Sequence, residues 1–411
     1  MSVYAIVGGG VAGVTAARSL AQSASHPGDQ IHIFSSEPYP YYPRPLLWKY
    51  IAGEKDRESL FAKPLSWYEA NGIAFHAGTR VTALDTEARA LTLESGAVVP
   101  YDRLLLTTGA HPFVPPVEGA GKKGVFTLRS LDDAVAIKEQ ARSVPHAVVI
   151  GGGLLGLETA LAIRSAGPDV HVLEIAEHLL PRQLDREGAT ILRGLLESSG
   201  LELSTGVMAE AILGDEHAEG VRVRDGRVVE GGLVLFSAGI RCRAHLAREA
   251  GLEVNRGAVV DATMHTSAPD VYAAGDVAEF EGEIYGIIPA AVDQANIAAA
   301  NMVEPGSAIY GGTLPSTTLK VAGAQVTSLG EYSPVETGDV GGRSYQVVRN
   351  ADAERGIYRK FVLRDGRVVG AITINDPRRG ALARQLIDRE TVVSEHSDLL
   401  VEDAFDAGSL M

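Results

Sequence analysis

The sequence predicts an α/β protein that ends in an α+β module, and three observations predict it. The run Ala5-Ile-Val-Gly-Gly-Gly-Val-Ala-Gly13 returns as Val148-Val-Ile-Gly-Gly-Gly-Leu-Leu-Gly156. Each is a short apolar strand that enters GxGxxG and then a helix of small residues, the strand–turn–helix context of a nucleotide loop. A later strand, Asp270-Val-Tyr-Ala-Ala-Gly-Asp276, ends in Gly-Asp, and from Gly311 onward the chain alternates strands without a further glycine fingerprint. The first two units are therefore read as Rossmann-like dinucleotide-binding domains.

Taken in order, residues 3–8 and 31–34 read as parallel strands around a helix from about Gly10 to Ala24. Ser35 to Pro64 is rich in Pro, Tyr and charge and reads as a ligand-facing excursion. Ala90–Glu94 and Ala97–Tyr101 form a hairpin turning at Ser95-Gly96. Arg103–Thr107 is a strand ending at Thr107-Thr-Gly-Ala110, and Pro112, Pro115 and Pro116 mark the exit from the first domain. The second βαβ unit spans about Ala147 to Leu173, with strands near Val221–Val223 and Leu233–Phe236 and then the loop Ser237-Ala-Gly-Ile240. A small-residue helix from about Pro289 to Met302 follows the Gly-Asp strand. The last module carries strands at Tyr345–Val348, Tyr358–Leu363 and Val368–Thr373 and a helix near Leu382–Arg389.

The 411 residues are 45% hydrophobic and 22% charged, ordinary for a globular chain, and leave room for two or three cores. A net charge of −15 argues against nucleic acid as a partner. The one cysteine, Cys242, rules out an intramolecular disulfide, a CxxC pair or a cysteine-held iron–sulfur cluster within this chain, and suits a cytoplasmic location. No metal-ligand pattern is read. No apolar stretch has bilayer-spanning length and the first residues lack a charged n-region, so neither a membrane span nor a signal peptide is expected.

In each glycine fingerprint the first glycine makes the tight turn, the second lets backbone approach a pyrophosphate, and the third lets helix pack on strand. Two fingerprints suggest a flavin with a nicotinamide. Glu174 ends the strand after the second fingerprint, where an acid bonds a ribose; the alternative is a solvated strand-end charge. Ile175, Ala176 and Glu177 offer no cation for a 2′-phosphate, so NADH is preferred over NADPH. Glu37 lies one or two positions late for the equivalent role in the first unit and is either a ribose ligand or a loop charge. Asp276 is either a contact to a flavin ribityl hydroxyl or an Asx turn. The helix beginning near Pro289 would aim its positive end at a flavin ring edge.

The run Glu37-Pro-Tyr-Pro-Tyr-Tyr-Pro-Arg-Pro-Leu-Leu-Trp-Lys-Tyr-Ile-Ala-Gly53 resembles the corresponding stretch of NADH:rubredoxin reductases and is similar to the flavin module of assimilatory nitrite reductases. Thr107-Thr-Gly109, Gly151-Gly-Gly-Leu-Leu-Gly-Leu-Glu158, Val271-Tyr-Ala-Ala-Gly-Asp276 and Ser316-Thr-Thr-Leu-Lys-Val-Ala-Gly323 extend the resemblance over nearly the whole chain. It implies a glutathione-reductase-like fold, with an FAD domain of residues 1–112 and 241–308, an NAD domain of 113–240 and a C-terminal domain of 309–411. It further implies FAD contacts from Gly8, Gly10, Val11, Ala12, Gly13, Glu37, Arg44, Lys49, Val81 (through its backbone), Thr108, Gly109 and Asp276. Lys320 would lie close to the isoalloxazine. NAD contacts would come from Gly151, Gly153, Gly156, Glu174 and Gly239, and Lys49 and Glu158 would form an ion pair beside flavin N5. The disulfide reductases of this fold carry a cysteine pair beside the flavin, and NADH oxidases and peroxidases carry one cysteine there; Pro43–Gly53 has none. Cys242 is read as a small buried or loop residue rather than a catalytic thiol.

The resemblance implies an NADH-dependent FAD oxidoreductase that passes electrons to an external one-electron carrier of rubredoxin or ferredoxin type. Arg44, Lys49 and Pro377-Arg-Arg379 are candidates for a docking patch or are simply solvated. The alternative is an NAD(H)-linked flavoprotein subunit of a larger iron–sulfur complex. A binding or signalling flavoprotein like the relatives of apoptosis-inducing factor is a third reading.

Overall fold

Val3–Val7 is apolar throughout because it is a central strand of a parallel sheet, buried on both faces. The computed structural model describes residues 1–23, 28–321, 323–332 and 345–403, which divide into two units. The first unit is assembled from Met1–Tyr50, Lys55–Phe113 and Gly239–Thr313; the second from Ile51–Glu54, Val114–Ala238 and Leu314–Met411.

The first unit's sheet runs in the order Val271–Ala273, Arg103–Leu106, Val3–Val7, Gln30–Phe34, Ile73–His76, every pair parallel. The helix Val11–Ser23 returns the chain between its first two strands in sequence and packs on the helix Ile288–Val303. Alanines at 16, 17, 295, 298 and 299 are all buried, so two backbones approach closely with little side-chain entropy lost. Ala24, the expected helix end, lies outside the described residues. The expected hairpin turns at Gly96, whose N–H donates to the Leu93 carbonyl at 2.8 Å, and gains a third antiparallel strand, Val81–Asp85. The Pro- and Tyr-rich excursion also packs: it holds a short helix, Leu47–Ile51, and buries Leu47 and Leu60.

The second unit repeats this plan with Val125–Thr127, Leu233–Phe236, His146–Ile150, Asp169–Glu174 and Glu202–Thr205, again all parallel. The duplication thus covers the order of four strands as well as the glycine motif, while the fifth, at the edge, comes last in the chain in the first sheet (Val271–Ala273) and first in the second (Val125–Thr127). Two helices escape the sequence reading. Leu131–Ala141 begins with a capping box of Ser130 and Asp133, and Arg186–Ser198 is capped by Asp185. The C-terminal module is a five-stranded antiparallel sheet in the order Ser316–Val321, Ala324–Gly330, Arg367–Ile374, Ile357–Arg364, Tyr345–Asp352. The helix Pro377–Asp388 lies on it and starts earlier than expected. Asp376 accepts the Arg379 N–H at 3.1 Å as its N-cap and Pro377 occupies the first turn, a start signal present in the sequence.

Candidate functional site: two glycine cradles

The two glycine loops behave alike when each glycine is asked what a Cβ would meet. At Gly8 (φ 125°) it would lie 2.1 Å from the Thr107 carbonyl oxygen, and at Gly13 2.0 Å from the Gly8 carbonyl oxygen. At Gly151 (φ 123°) it would lie 2.3 Å from the Ser237 carbonyl oxygen, and at Gly156 2.0 Å from that of Gly151. The first and third glycines are therefore required by the protein's own backbone. Gly10 and Gly153 meet nothing within 4 Å. Their bare backbone faces open space at the start of the helices Val11–Ser23 and Leu154–Ser165, neither of which has an acidic residue in its first turn. Gly153 is itself the N-cap and supplies no side-chain cap. A diphosphate fits such a place, because uncapped N–H groups and the helix dipole both favour an anion.

In the first unit, sequence-distant residues converge on the loop. Thr107 Oγ1 lies 3.1 and 3.0 Å from the Val7 and Gly8 carbonyls, and Thr108 Oγ1 donates to the Arg243 carbonyl at 2.7 Å. Gly109 has φ 68°, and its carbonyl takes the Arg243 N–H at 2.8 Å. Gly275, next to Asp276, has φ 81° and approaches Ala12 so closely that a Cβ would stand 3.1 Å from the alanine methyl. Its N–H donates to Gln294 Oε1 at 2.8 Å, tying the Gly-Asp turn to the helix Ile288–Val303. That helix has no side-chain cap. Gly8, Gly10, Val11, Ala12, Gly13, Thr108, Gly109 and Asp276 thus surround one end of the sheet. Val81 begins the three-stranded meander and is buried.

Glu37 is engaged in a way the sequence did not signal: Arg44 Nη2 reaches Oε1 at 2.8 Å and the Tyr42 hydroxyl bonds Oε2. Arg44 is thereby held to a carboxylate. Lys49 is half-buried with its ammonium 5.1 Å from the Trp48 ring centroid. The expected docking pair is corrected: Arg378 is exposed, but Arg379 is buried and donates to the Glu402 carbonyl at 2.5 Å. A buried guanidinium already bonded to a main-chain carbonyl cannot serve a docking surface. Cys242 lies on the short strand Ile240–Cys242, half-buried. Burial first, then the charges of Asp276 and Glu279, push its thiol above the ordinary range, the reverse of an activated cysteine.

In the second unit Glu174 is buried and accepts the Gly152 N–H at 2.6 Å and the Ala176 N–H at 2.7 Å. A carboxylate offers about four acceptor sites, so a ribose diol can still be bonded. Glu158 is half-buried, one turn into the helix Leu154–Ser165, and Lys320 is exposed on the strand Ser316–Val321. Gly239, expected as an NAD contact, groups with the first unit at φ 99°, its carbonyl accepting the Phe113 N–H at 2.9 Å. Among the described residues no helix is long and apolar enough to cross a membrane.

Comparisons with known proteins place the chain among related sequences and structures. The family described as pyridine nucleotide-disulphide oxidoreductase matches residues 2–295, and the rubredoxin NAD+ reductase C-terminal domain matches residues 315–391. A nitrite reductase [NAD(P)H] of Bacillus subtilis (strain 168) is 36% identical over 96% of this chain and 48% of its own length. The chain spans about half the length of the first curated relatives it matches. The biphenyl dioxygenase system ferredoxin–NAD(+) reductase component of Paraburkholderia xenovorans (strain LB400) is 32% identical, covering 96% of this chain and 95% of the relative. The crystal structure of NADH:rubredoxin oxidoreductase from Clostridium acetobutylicum superposes with a TM-score of 0.77 at 30% identity, covering 94% of this chain and 95% of that one.

Proposed function

Since the chain belongs to the pyridine nucleotide-disulphide oxidoreductases, FAD-dependent enzymes of NAD(P)H, we propose that it takes electrons from NADH and delivers them to a small one-electron iron–sulfur carrier of rubredoxin or ferredoxin type. The observation that carries the proposal is the pair of cradles in a chain with a single, poorly acidic thiol. Bound FAD would supply hydride acceptance and single-electron release; with a single cysteine, the chain can form no internal redox disulfide to relay the electrons. Gly8, Gly10, Gly13, Thr108, Gly109 and Asp276 would hold the flavin dinucleotide. Gly151, Gly153, Gly156 and Glu174 would hold NADH, and the Glu174 charge with no nearby cation in Ile175–Glu177 favours it over NADPH. Lys49 and Glu158 are proposed to supply the local charge that orients the reacting rings, with Lys320 at the flavin edge and a cytoplasmic location.

The test is anaerobic reduction of the yellow protein by NADH and by NADPH, followed by reoxidation with rubredoxin, ferredoxin, quinone and peroxide. Fast bleaching by NADH and fast reoxidation by an iron–sulfur carrier are expected. Turnover with peroxide alone would overturn the proposal. A second reading, a flavoprotein portion of a larger nitrite-reductase-like assembly, is favoured by the half-length coverage of those relatives. Co-migration with iron–sulfur subunits on gel filtration of native extract would favour it.

A further inference from the structure

We infer that the C-terminal sheet holds the second cradle in its binding geometry, with Asp185, Tyr358 and Lys360 as positioning residues for the adenosine ribose of the dinucleotide. The inference rests on the reading of Glu174 as the ribose acid. After Glu174 the chain runs as a loop to Leu184, and this loop is pinned to the glycine turn at its middle. The Leu180 N–H donates to the Gly152 carbonyl at 3.1 Å, and Leu179 fills the space a Gly152 Cβ would take, 2.7 Å away. Leu180 has φ 50°, a left-handed conformation that a leucine adopts only when its surroundings hold it there.

The far end of the loop is held from the C-terminal sheet. Asp185 accepts the Gly188 N–H at 3.0 Å as the N-cap of the helix Arg186–Ser198. The same carboxylate accepts the Tyr358 hydroxyl and the Lys360 ammonium, each at 2.8 Å, from the strand Ile357–Arg364. Tyr358 is fully buried and Lys360 nearly so. Burial opposes charge on Asp185, but the bonds from Lys360, the Gly188 N–H and Tyr358 outweigh it and hold its carboxyl below the usual range, so it stays ionised. Gly188 is part of the same fit, since a Cβ there would stand 3.1 Å from the Tyr358 ring. The Tyr332 hydroxyl also bonds the Arg182 carbonyl within the loop. Independently, the helix that begins at the second cradle, Leu154–Ser165, packs against the strand Ser316–Val321. A buried ion pair contributes little net stability compared with apolar packing; what it supplies here is direction, fixing where the loop ends.

The experiment measures KM for NADH, kcat and flavin content in the full chain for Tyr358→Phe, Lys360→Met, Lys360→Arg, Glu174→Ala and the double variant Glu174→Ala/Tyr358→Phe. Tyr358→Phe removes one oxygen and keeps the ring on Gly188. The expected result is a KM raised about five- to tenfold in Tyr358→Phe and Lys360→Met, with flavin content and saturated kcat little moved. Lys360→Arg should recover most of the loss, and the double variant should add little beyond Glu174→Ala, because the loop acts through that carboxylate. Folded variants with a lower Tm but an unchanged KM for NADH would overturn the positioning role. A Glu174→Ala protein with unchanged KM would instead overturn the ribose reading, whatever the C-terminal variants do.

Discussion

Alanine at Gly8 would force a methyl to within 2.1 Å of a carbonyl oxygen in a backbone conformation that disfavours it, whereas alanine at Gly10 would meet no protein atom. The two substitutions should therefore fail differently. Gly8→Ala is expected to lower the stability of the fold by about 3 kcal/mol or more through overpacking and strain, read in a thermal or denaturant melt. Gly10→Ala should melt like the parent protein stripped of flavin yet purify with a reduced FAD-to-protein ratio, and Gly153→Ala should weaken NADH and spare FAD. Equal destabilisation by Gly8→Ala and Gly10→Ala would contradict the assignment. The strand–GxGxxG–helix pattern was legible in the sequence because it is local, whereas the Thr107 carbonyl that stands against Gly8 was not, because it belongs to a strand far along the chain. The partners of Glu37 were not, since Tyr42 and Arg44 reach it only through the path of a Pro-rich loop. Nor was the burial of Arg379, which is decided by the position of Glu402 across the module.

At the scale of elements, the neighbouring strands Gln30–Phe34 and Ile73–His76 carry a stack that composition does not announce. The His32 and His76 rings lie 5.3 Å apart with Nδ1 and Nε2 at 3.0 Å, and Phe34 stacks on His76 at 4.7 Å. Burial lowers the pKa of both histidines, and His32 further lowers that of His76. A base depressed in the folded state favours folding fully above its unfolded pKa, here 6.5, and that contribution is lost as pH falls through this range. The melting temperature of the protein should drop between pH 7.5 and 5.5, and His32→Leu/His76→Leu should flatten that part of the profile. An unaltered slope in the double variant would show that other groups carry it. Elements whose pattern is periodic or whose turn is chemically marked, such as the hairpin at Gly96, were readable. The strand Val125–Thr127 was not, because three residues carry no period and its place is set by pairing with Leu233–Phe236.

For the whole molecule, the internal duplication was the most legible property, since two copies of one motif constrain two domains at once. The antiparallel sheet of the last module was partly legible: three of its strands were read from the sequence, while Ser316–Val321 and Ala324–Gly330 were not marked as strands. The single thiol bears on the molecule as a whole. Cys242→Ser should leave NADH oxidation and carrier reduction within about twofold of the parent, because the thiol is half-buried and its pKa is raised. A loss of turnover with flavin still bound would put a sulfur into the electron path and require a different scheme.

The last stretch of the first unit, Gly239–Thr313, follows Val114–Ala238 of the second in the chain, and its edge strand Val271–Ala273 closes on Arg103–Leu106. During synthesis the Gly8–Gly13 loop leaves the ribosome well before Gly275, Asp276 and Gln294, and waits for them before its cradle is complete. At about 5–20 residues per second, the nascent protein spends many seconds with half of its first glycine cradle exposed, and the second unit has all the strands of its parallel sheet first.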